Sequence, residues 1–180
     1  AADRYYLEIN GANSSADVYL NGKKLAHHDG GYSAFRANIT KYLTENETQV
    51  YVVVNNAPND HVYPQFADFT FYGGLYRGVN IIAVNKTHFD LDYFGGKGLK
   101  ITPNVNGNDA DVNVEVWVSN FQDGDKLVYT IYDKDENELL KNETSDFTSN
   151  FTISNVHLWN GRKDPYLYCC EVEIVRDGEV

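Results

Sequence analysis

The sequence predicts an all-β protein built from antiparallel sandwiches. Two observations carry that expectation. Apolar residues recur at every second position in run after run, the period of a strand with one buried face, and the runs are short and separated by Asn, Asp and Gly. Helical periodicity is nearly absent; its one candidate is Thr40–Leu43, a single turn with Thr40 as N-cap. Clean alternation of apolar and polar residues further implies sheets with one face in water.

Taken in order, Tyr5, Leu7 and Ile9 make the first alternating set, and Val18 and Leu20 the second. Asn21-Gly22 then intervenes before Lys23-Lys24-Leu25, which marks a two-residue hairpin because both turn positions take positive φ. Val50, Val52 and Val54 alternate next, and Val79–Val84 closes the first part. Later, Val112, Val114, Val116 and Val118 alternate with polar or amphipathic neighbours, and an Asp123-Gly124 turn leads into Leu127, Tyr129 and Ile131. Phe151 and Ile153 begin a further strand. Tyr166, Tyr168, Cys170, Val172 and Ile174 face one way at the end of the chain, which buries Cys170 and turns Cys169 outward. The acidic stretch Asp133–Glu138 reads as a hairpin tip, and Gly95–Gly98 as a turn.

A boundary falls near residues 85–88. Residues 1–85 hold about five strands, fewer than the eight of a complete jelly roll, and residues 86–180 hold about seven, enough for an immunoglobulin-like sandwich. The shortfall, with the absence of Met, leads us to expect a processed or cut-down chain whose first strands are missing. Missing strands leave sheet edges open, so a homodimer or a strand exchange is expected.

Lys plus Arg number 15 against 26 Asp plus Glu, a net charge of −11. That charge opposes phosphate backbones and anionic lipid, so neither nucleic acid nor a membrane is an expected partner. Only two cysteines occur, adjacent to one another, and strand neighbours diverge too far to pair. His27 and His28 diverge for the same reason, so they make a poor metal pair even with Asp29 beside them. Six Asn-x-Ser/Thr sequons, at Asn13, Asn38, Asn46, Asn85, Asn142 and Asn150, matter only in a glycosylating host.

One stretch breaks the strand rhythm. Asn55–Tyr72 has no periodicity, yet it is rich in rings (Tyr63, Phe66, Phe69, Phe71, Tyr72) and carries Asp60, His61 and Asp68. Loops of this length are usually functional or disordered, and the aromatic content argues for order. Carboxylates accept hydrogen bonds from sugar hydroxyls, and rings cover the apolar face of a pyranose. The bland alternative is that the rings simply pack the loop onto the sandwich.

Several fragments together resemble glycoside hydrolase family 2, which includes β-galactosidases, β-glucuronidases and β-mannosidases. They are Ala16–Gly22, Gly30–Phe35, Asn38-Ile39-Thr40 with Tyr42-Leu43, Asp68–Val79, and Leu158–Arg162 with Asp164–Tyr168. The resemblance runs the whole length in order. It implies a galactose-binding-domain-like jelly roll over 1–85, an immunoglobulin-like sandwich over 86–180, and a catalytic (β/α)8 barrel that this chain does not contain. The enzyme implied is a retaining glycosidase, most simply a β-galactosidase cleaving terminal β-galactosides or a related glycan. This chain alone lacks the catalytic Glu pair and is expected to be inactive. A stand-alone carbohydrate-binding module or a structural sandwich is the alternative. Asp68 matches the family Asp that reaches the sugar hydroxyls and, in some members, a sodium ion; sodium or magnesium is thus implied only for a full-length enzyme. Arg77 reads as a buried structural cation bonding loop carbonyls and an acid. Tyr32 and Phe35 are expected to pack the jelly roll near the same end. Asn38 and Gly78 stand where the family usually has Asp, which weakens a cap and a surface contact. Localisation stays open, although relatives in glycan-degrading bacteria are often exported.

Overall fold

The computed structural model describes residues 2–180 as two compact units. The first comprises residues up to 87 together with 91–97; the second comprises 88–90 and 98–180.

The first unit contains β1 (Arg4–Ile9), β2 (Ala12–Asn13), β3 (Ser15–Leu20), β4 (Lys23–Asp29), β5 (Phe35–Asn38), β6 (Val50–Asn55), β7 (Gly74–Leu75) and β8 (Val79–Val84). They form antiparallel sheets in the orders β5-β1-β8 and β4-β3-β6, with β2 and β7 as a small third pair. The alternating residues face inward as their parity requires: Leu7, Ile9, Val18, Leu20, Phe35, Ala37 and Ile39 make one buried cluster, with Tyr5, Val52 and Val54 packed on it. Each Val, Leu or Ile side chain among them, fully withdrawn from water, contributes about 1.5–3 kcal/mol. Asn21 (φ 48°) and Gly22 (φ 79°) form the expected hairpin turn between β3 and β4.

The predicted helical turn is a 3-10 turn at Thr40–Tyr42, but Ile39 occupies the cap position. Thr40 is not the cap because its hydroxyl is committed elsewhere: its Oγ1 accepts the Tyr5 N–H at 2.9 Å. Asn38 Oδ1 instead accepts the Thr40 N–H at 3.1 Å, so asparagine supplies the local turn bond there.

Arg36 ties residues 91–97 to the first unit. Arg36, on β5, has a side chain only 9% exposed. Its Nε donates to Glu8 Oε2 at 2.8 Å, and its Nη1 donates to the carbonyls of Leu91 (2.9 Å) and Gly96 (2.6 Å). The segment lies so close that a Cβ on Gly95, at φ +66°, would stand 2.3 Å from the Ala34 carbonyl oxygen. Only glycine fits.

The second unit contains β9 (His88–Phe89), β10 (Leu99–Asn106), β11 (Asp109–Val116), β12 (Val118–Ser119), β13 (Lys126–Tyr132), β14 (Glu138–Thr144), β15 (Thr148–Ile153) and β16 (Cys169–Val175). Its sheets run β10-β11-β15 and β14-β13-β16, with β12 paired to β9. Val112, Val114, Val116, Leu127, Tyr129, Ile131, Phe151 and Ile153 fill the space between them. Pro103, which cannot donate to a ladder, sits on β10, an edge strand. The buried carboxylate of Asp125 receives Nε and Nη2 of Arg176 at 2.6 and 2.7 Å. That guanidinium holds its carboxyl below the usual range. Asp133–Glu138 forms the expected hairpin tip, with Asp133 accepting the backbone N–H groups of Asp135 and Asn137.

Candidate functional site

Residues 56–73, between β6 and β7, are the irregular crossing that the sequence marks out. Side chains from β2 and its surroundings pin it down. Asn13 Nδ2 donates to the Tyr72 carbonyl at 2.8 Å. Gln65 Nε2 donates to Ser14 Oγ (3.0 Å) and to the Asn56 carbonyl (3.1 Å). Asn59 Oδ1 accepts the His61 N–H at 2.9 Å, and Asn55 Oδ1 accepts that of Ala57 at 2.9 Å. Each bond closes an Asx turn, so the polar residues of the loop order it locally.

Three tyrosines brace its base. Tyr32 stacks on Tyr63 with ring centroids 5.2 Å apart and meets Tyr76 edge-on at 6.3 Å. Tyr76 donates its hydroxyl to the Gly31 carbonyl at 2.6 Å. Desolvation, and then the Tyr32 hydroxyl, push the Tyr63 phenol up to about 12. A Cβ on Gly31 would lie 2.5 Å from Asn13 Oδ1 and 3.0 Å from the Tyr63 oxygen, so this close approach needs glycine. The buried Asn13 Oδ1 has no hydrogen-bond partner among the described residues.

Packing accounts for only part of the ring content. Phe71 is half-buried, and Phe69 and Phe71 sit 4.7 Å apart. Phe66, Phe69 and Tyr72, however, expose 94%, 63% and 78% of their surface. Asp68 lies in this exposed stretch. Its carboxylate makes no hydrogen bond or ion pair with the described residues, so it is neither withdrawn into the interior nor neutralised by a cation. Chemically, the loop offers two exposed carboxylates with no partner among the described residues, Asp60 and Asp68, and Asp68 lies in the stretch of sequence that carries the exposed rings.

The other named residues fall as follows. Phe35 is in the core, its ring stacked on His28 at 4.4 Å. Tyr32 belongs to the tyrosine brace. Arg77 donates Nη1 to the Tyr32 loop carbonyl at 2.8 Å as expected, but it is exposed, lies over the Tyr76 ring at 5.1 Å, and has no acid paired to it among the described residues. A guanidinium over a ring is held by cation–π attraction and needs no counter-charge, so Arg77 ties its motif to the brace from outside. His27 and His28 do diverge: His27 bridges Asp17 (2.6 Å) and Asp29 (3.1 Å), while His28 turns to Phe35 and to Ser33 Oγ at 2.9 Å.

No group of three or more His, Cys, Asp or Glu side chains able to hold a metal is found among the described residues. Asp68 supplies one carboxylate toward the several oxygens that magnesium coordinates. No helix of the described residues is long and apolar enough to cross a membrane.

Comparison with known proteins gives this geometry a lineage. Residues 1–85 match the sugar binding domain of the glycosyl hydrolases family 2, and residues 86–180 match a second domain of that family. A β-glucuronidase of Bacteroides fragilis is 30% identical over 98% of this chain and 27% of its own length. Among solved structures, an FMN-binding β-glucuronidase from Faecalibacterium prausnitzii L2-6 superposes with a TM-score of 0.89 at 35% identity, covering 98% of this chain and 28% of that one. A putative β-galactosidase from Bacteroides fragilis gives 0.88 at 32%, with the same coverage. The chain thus spans about a quarter of the length of the relatives it matches. With both halves matched in order, the chain belongs to glycoside hydrolase family 2.

Proposed function

We propose that this chain is the non-catalytic, sugar-binding and scaffolding part of a family 2 β-glycosidase, and that Asp68 accepts hydrogen bonds from hydroxyls of the terminal sugar. The single observation behind it is the exposed, unpartnered Asp68 carboxylate flanked by the exposed rings of Phe66, Phe69 and Tyr72 on a loop anchored at both ends. The chemistry is retaining hydrolysis by two carboxyl groups about 5–5.5 Å apart, and those belong to a catalytic barrel outside this chain. The resemblance of the motif around Asp68 to that of family β-galactosidases favours a terminal β-galactoside. The prevalence of β-glucuronidases among similar proteins favours a terminal β-glucuronide as the second substrate. Hydroxyls common to both sugars suit the same acceptor.

The test uses p-nitrophenyl β-D-galactoside and β-D-glucuronide. The 180-residue chain alone turns over neither. Joined to a family 2 barrel, it supports cleavage of one of them, and Asp68→Asn lowers kcat/KM about 10–100-fold, the loss of a charge-assisted hydrogen bond of about 1.5–3 kcal/mol. An unchanged kcat/KM removes Asp68 from the site. Calorimetric titration of the chain with galactose or glucuronate yields no heat on this reading; measurable affinity supports a stand-alone binding module instead.

A further inference from the structure

We propose that His27 works as a proton-operated clasp: its imidazolium, bridging Asp17 and Asp29, holds residues 57–61 of the irregular crossing against β3 through Ser15 and Asn59, and loss of the proton releases them. The chain of contacts is continuous. His27 Nδ1 lies 2.6 Å from Asp17 Oδ1, and its Nε2 lies 3.1 Å from Asp29 Oδ2. Asp29 Oδ1 accepts the Ser15 hydroxyl at 2.6 Å. Ser15 Oγ in turn accepts Asn59 Nδ2 at 3.4 Å, and Asn59 Oδ1 accepts the His61 N–H at 2.9 Å. A ring on β4 is thus linked, by way of β3, to the turn near the start of the crossing.

The geometry itself requires the proton. Both carboxyls are held below their usual range, chiefly by Lys24 at Asp17 and by the Ser15 hydroxyl at Asp29, so both are carboxylates. A carboxylate oxygen only accepts hydrogen bonds, so an imidazole with one at each nitrogen must donate from both. That form is the imidazolium. A neutral ring has one N–H and no charge. Whichever nitrogen keeps its proton, Asp17 retains Lys24 at 2.7 Å, whereas His27 is the one cation in ion-pair contact with Asp29 among the described residues. Asp29 then gains by turning to water, and the Ser15 hydroxyl that it fixes turns with it. A hydroxyl rotates to suit its partners, so the Asn59 bond, already long, is the one to yield.

Few other charged groups face the clasp. β3 contributes Asp17, and β6 on its far side sets uncharged Val53 beside it. β4 contributes Lys24 and Asp29; His28, the next residue, turns away to Phe35. From the crossing, His61 acts on Asp29 through its charge. Asp17 and then Asp29 keep the His27 proton on above 6.5, so the clasp is closed at acidic pH and opens as pH rises through that raised value. The consequence for sugar rests on the Asp68 reading: the loop that carries Asp68 is held best on the acidic side. The hold itself is read without sugar, so its failure and the failure of Asp68 as a sugar ligand are separate results.

Amide hydrogen exchange of the 180-residue chain between pH 5 and 8, each rate divided by its intrinsic value at that pH, tests this. Protection over residues 57–61 is expected to fall about 2–10-fold as pH rises through the His27 midpoint, the loss of one hydrogen bond. His27→Gln and Ser15→Ala, each with an unchanged far-UV circular dichroism spectrum, give the low protection at every pH, and in Ser15→Ala the His27 ring still titrates above 6.5 by NMR. His61→Gln keeps the transition. Protection over 57–61 that is flat across this range in the parent chain overturns the proposal, as does a transition that survives His27→Gln or disappears in His61→Gln.

Discussion

Removing Arg36 should uncouple residues 91–97 from the first unit. Arg36→Met keeps the apolar stem and deletes the charge, leaving the largely buried Glu8 carboxylate without its cation and the Leu91 and Gly96 carbonyls without a donor. Breaking a buried pair by removing one partner costs about 3–5 kcal/mol. Glu8 Oε1 keeps a long 3.4 Å contact to Asn80 Nδ2, which places the cost near the lower end. With a urea m-value of about 1–3 kcal/mol/M, a loss of about 3 kcal/mol lowers the midpoint of that unit by about 1–3 M. Glu8→Leu combined with Arg36→Met removes the stranded charge and should recover much of the loss. Urea titration gives the energies, and hydrogen exchange reads the local effect as faster exchange over 91–97. A loss under about 1 kcal/mol refutes the reasoning, as does a double variant no better than the single or unaltered exchange in that segment.

Two further outcomes follow from neighbouring side chains in unlike surroundings. His27, hydrogen-bonded by Asp17 and then Asp29, titrates above 6.5, whereas His28, desolvated against Phe35, titrates below it; ring-proton NMR across pH 5–8 reads both, and equal midpoints would contradict the geometry. Their effects on stability oppose: the His27 contribution is full below pH 6.5 and is lost as pH rises through its raised value, while that of His28 is full above pH 6.5 and is lost as pH falls towards its lowered one. Burial pushes the Cys170 thiol up to about 11 and Cys169 is exposed, so iodoacetamide at pH 8 should add one label rapidly, at Cys169, with Cys170 only about a thousandth thiolate. Equal labelling by mass spectrometry would place Cys170 in water.

What the sequence disclosed was whatever depends on near neighbours. Parity put Leu7, Ile9, Val114, Tyr129 and Ile174 on inner faces, and Asn21-Gly22 carries its own backbone preference. The failures share a cause. Thr40 reads as a cap until a strand 35 residues away claims its hydroxyl. Arg77 reads as an interior cation from the family resemblance of its motif, whereas the Tyr76 ring supplies what an acid would have supplied. Arg36 had no local signal, since its acceptors lie 55 and 60 residues on. The loop around Asp68 was legible as a loop from its missing period; that Phe66 and Tyr72 stand in solvent while Tyr63 joins a brace depends on contacts that no spacing encodes.

The interleaving of the two units at residues 88–97 limits how a chimaera of family members can be spliced. A joint after residue 87 gives the first part a cation whose two carbonyl acceptors come from a foreign sequence. A joint after residue 97 keeps those acceptors but carries β9 away from β12 of its own lineage. Neither cut yields a clean cassette, so a functional swap between relatives has to transplant both parts as one block.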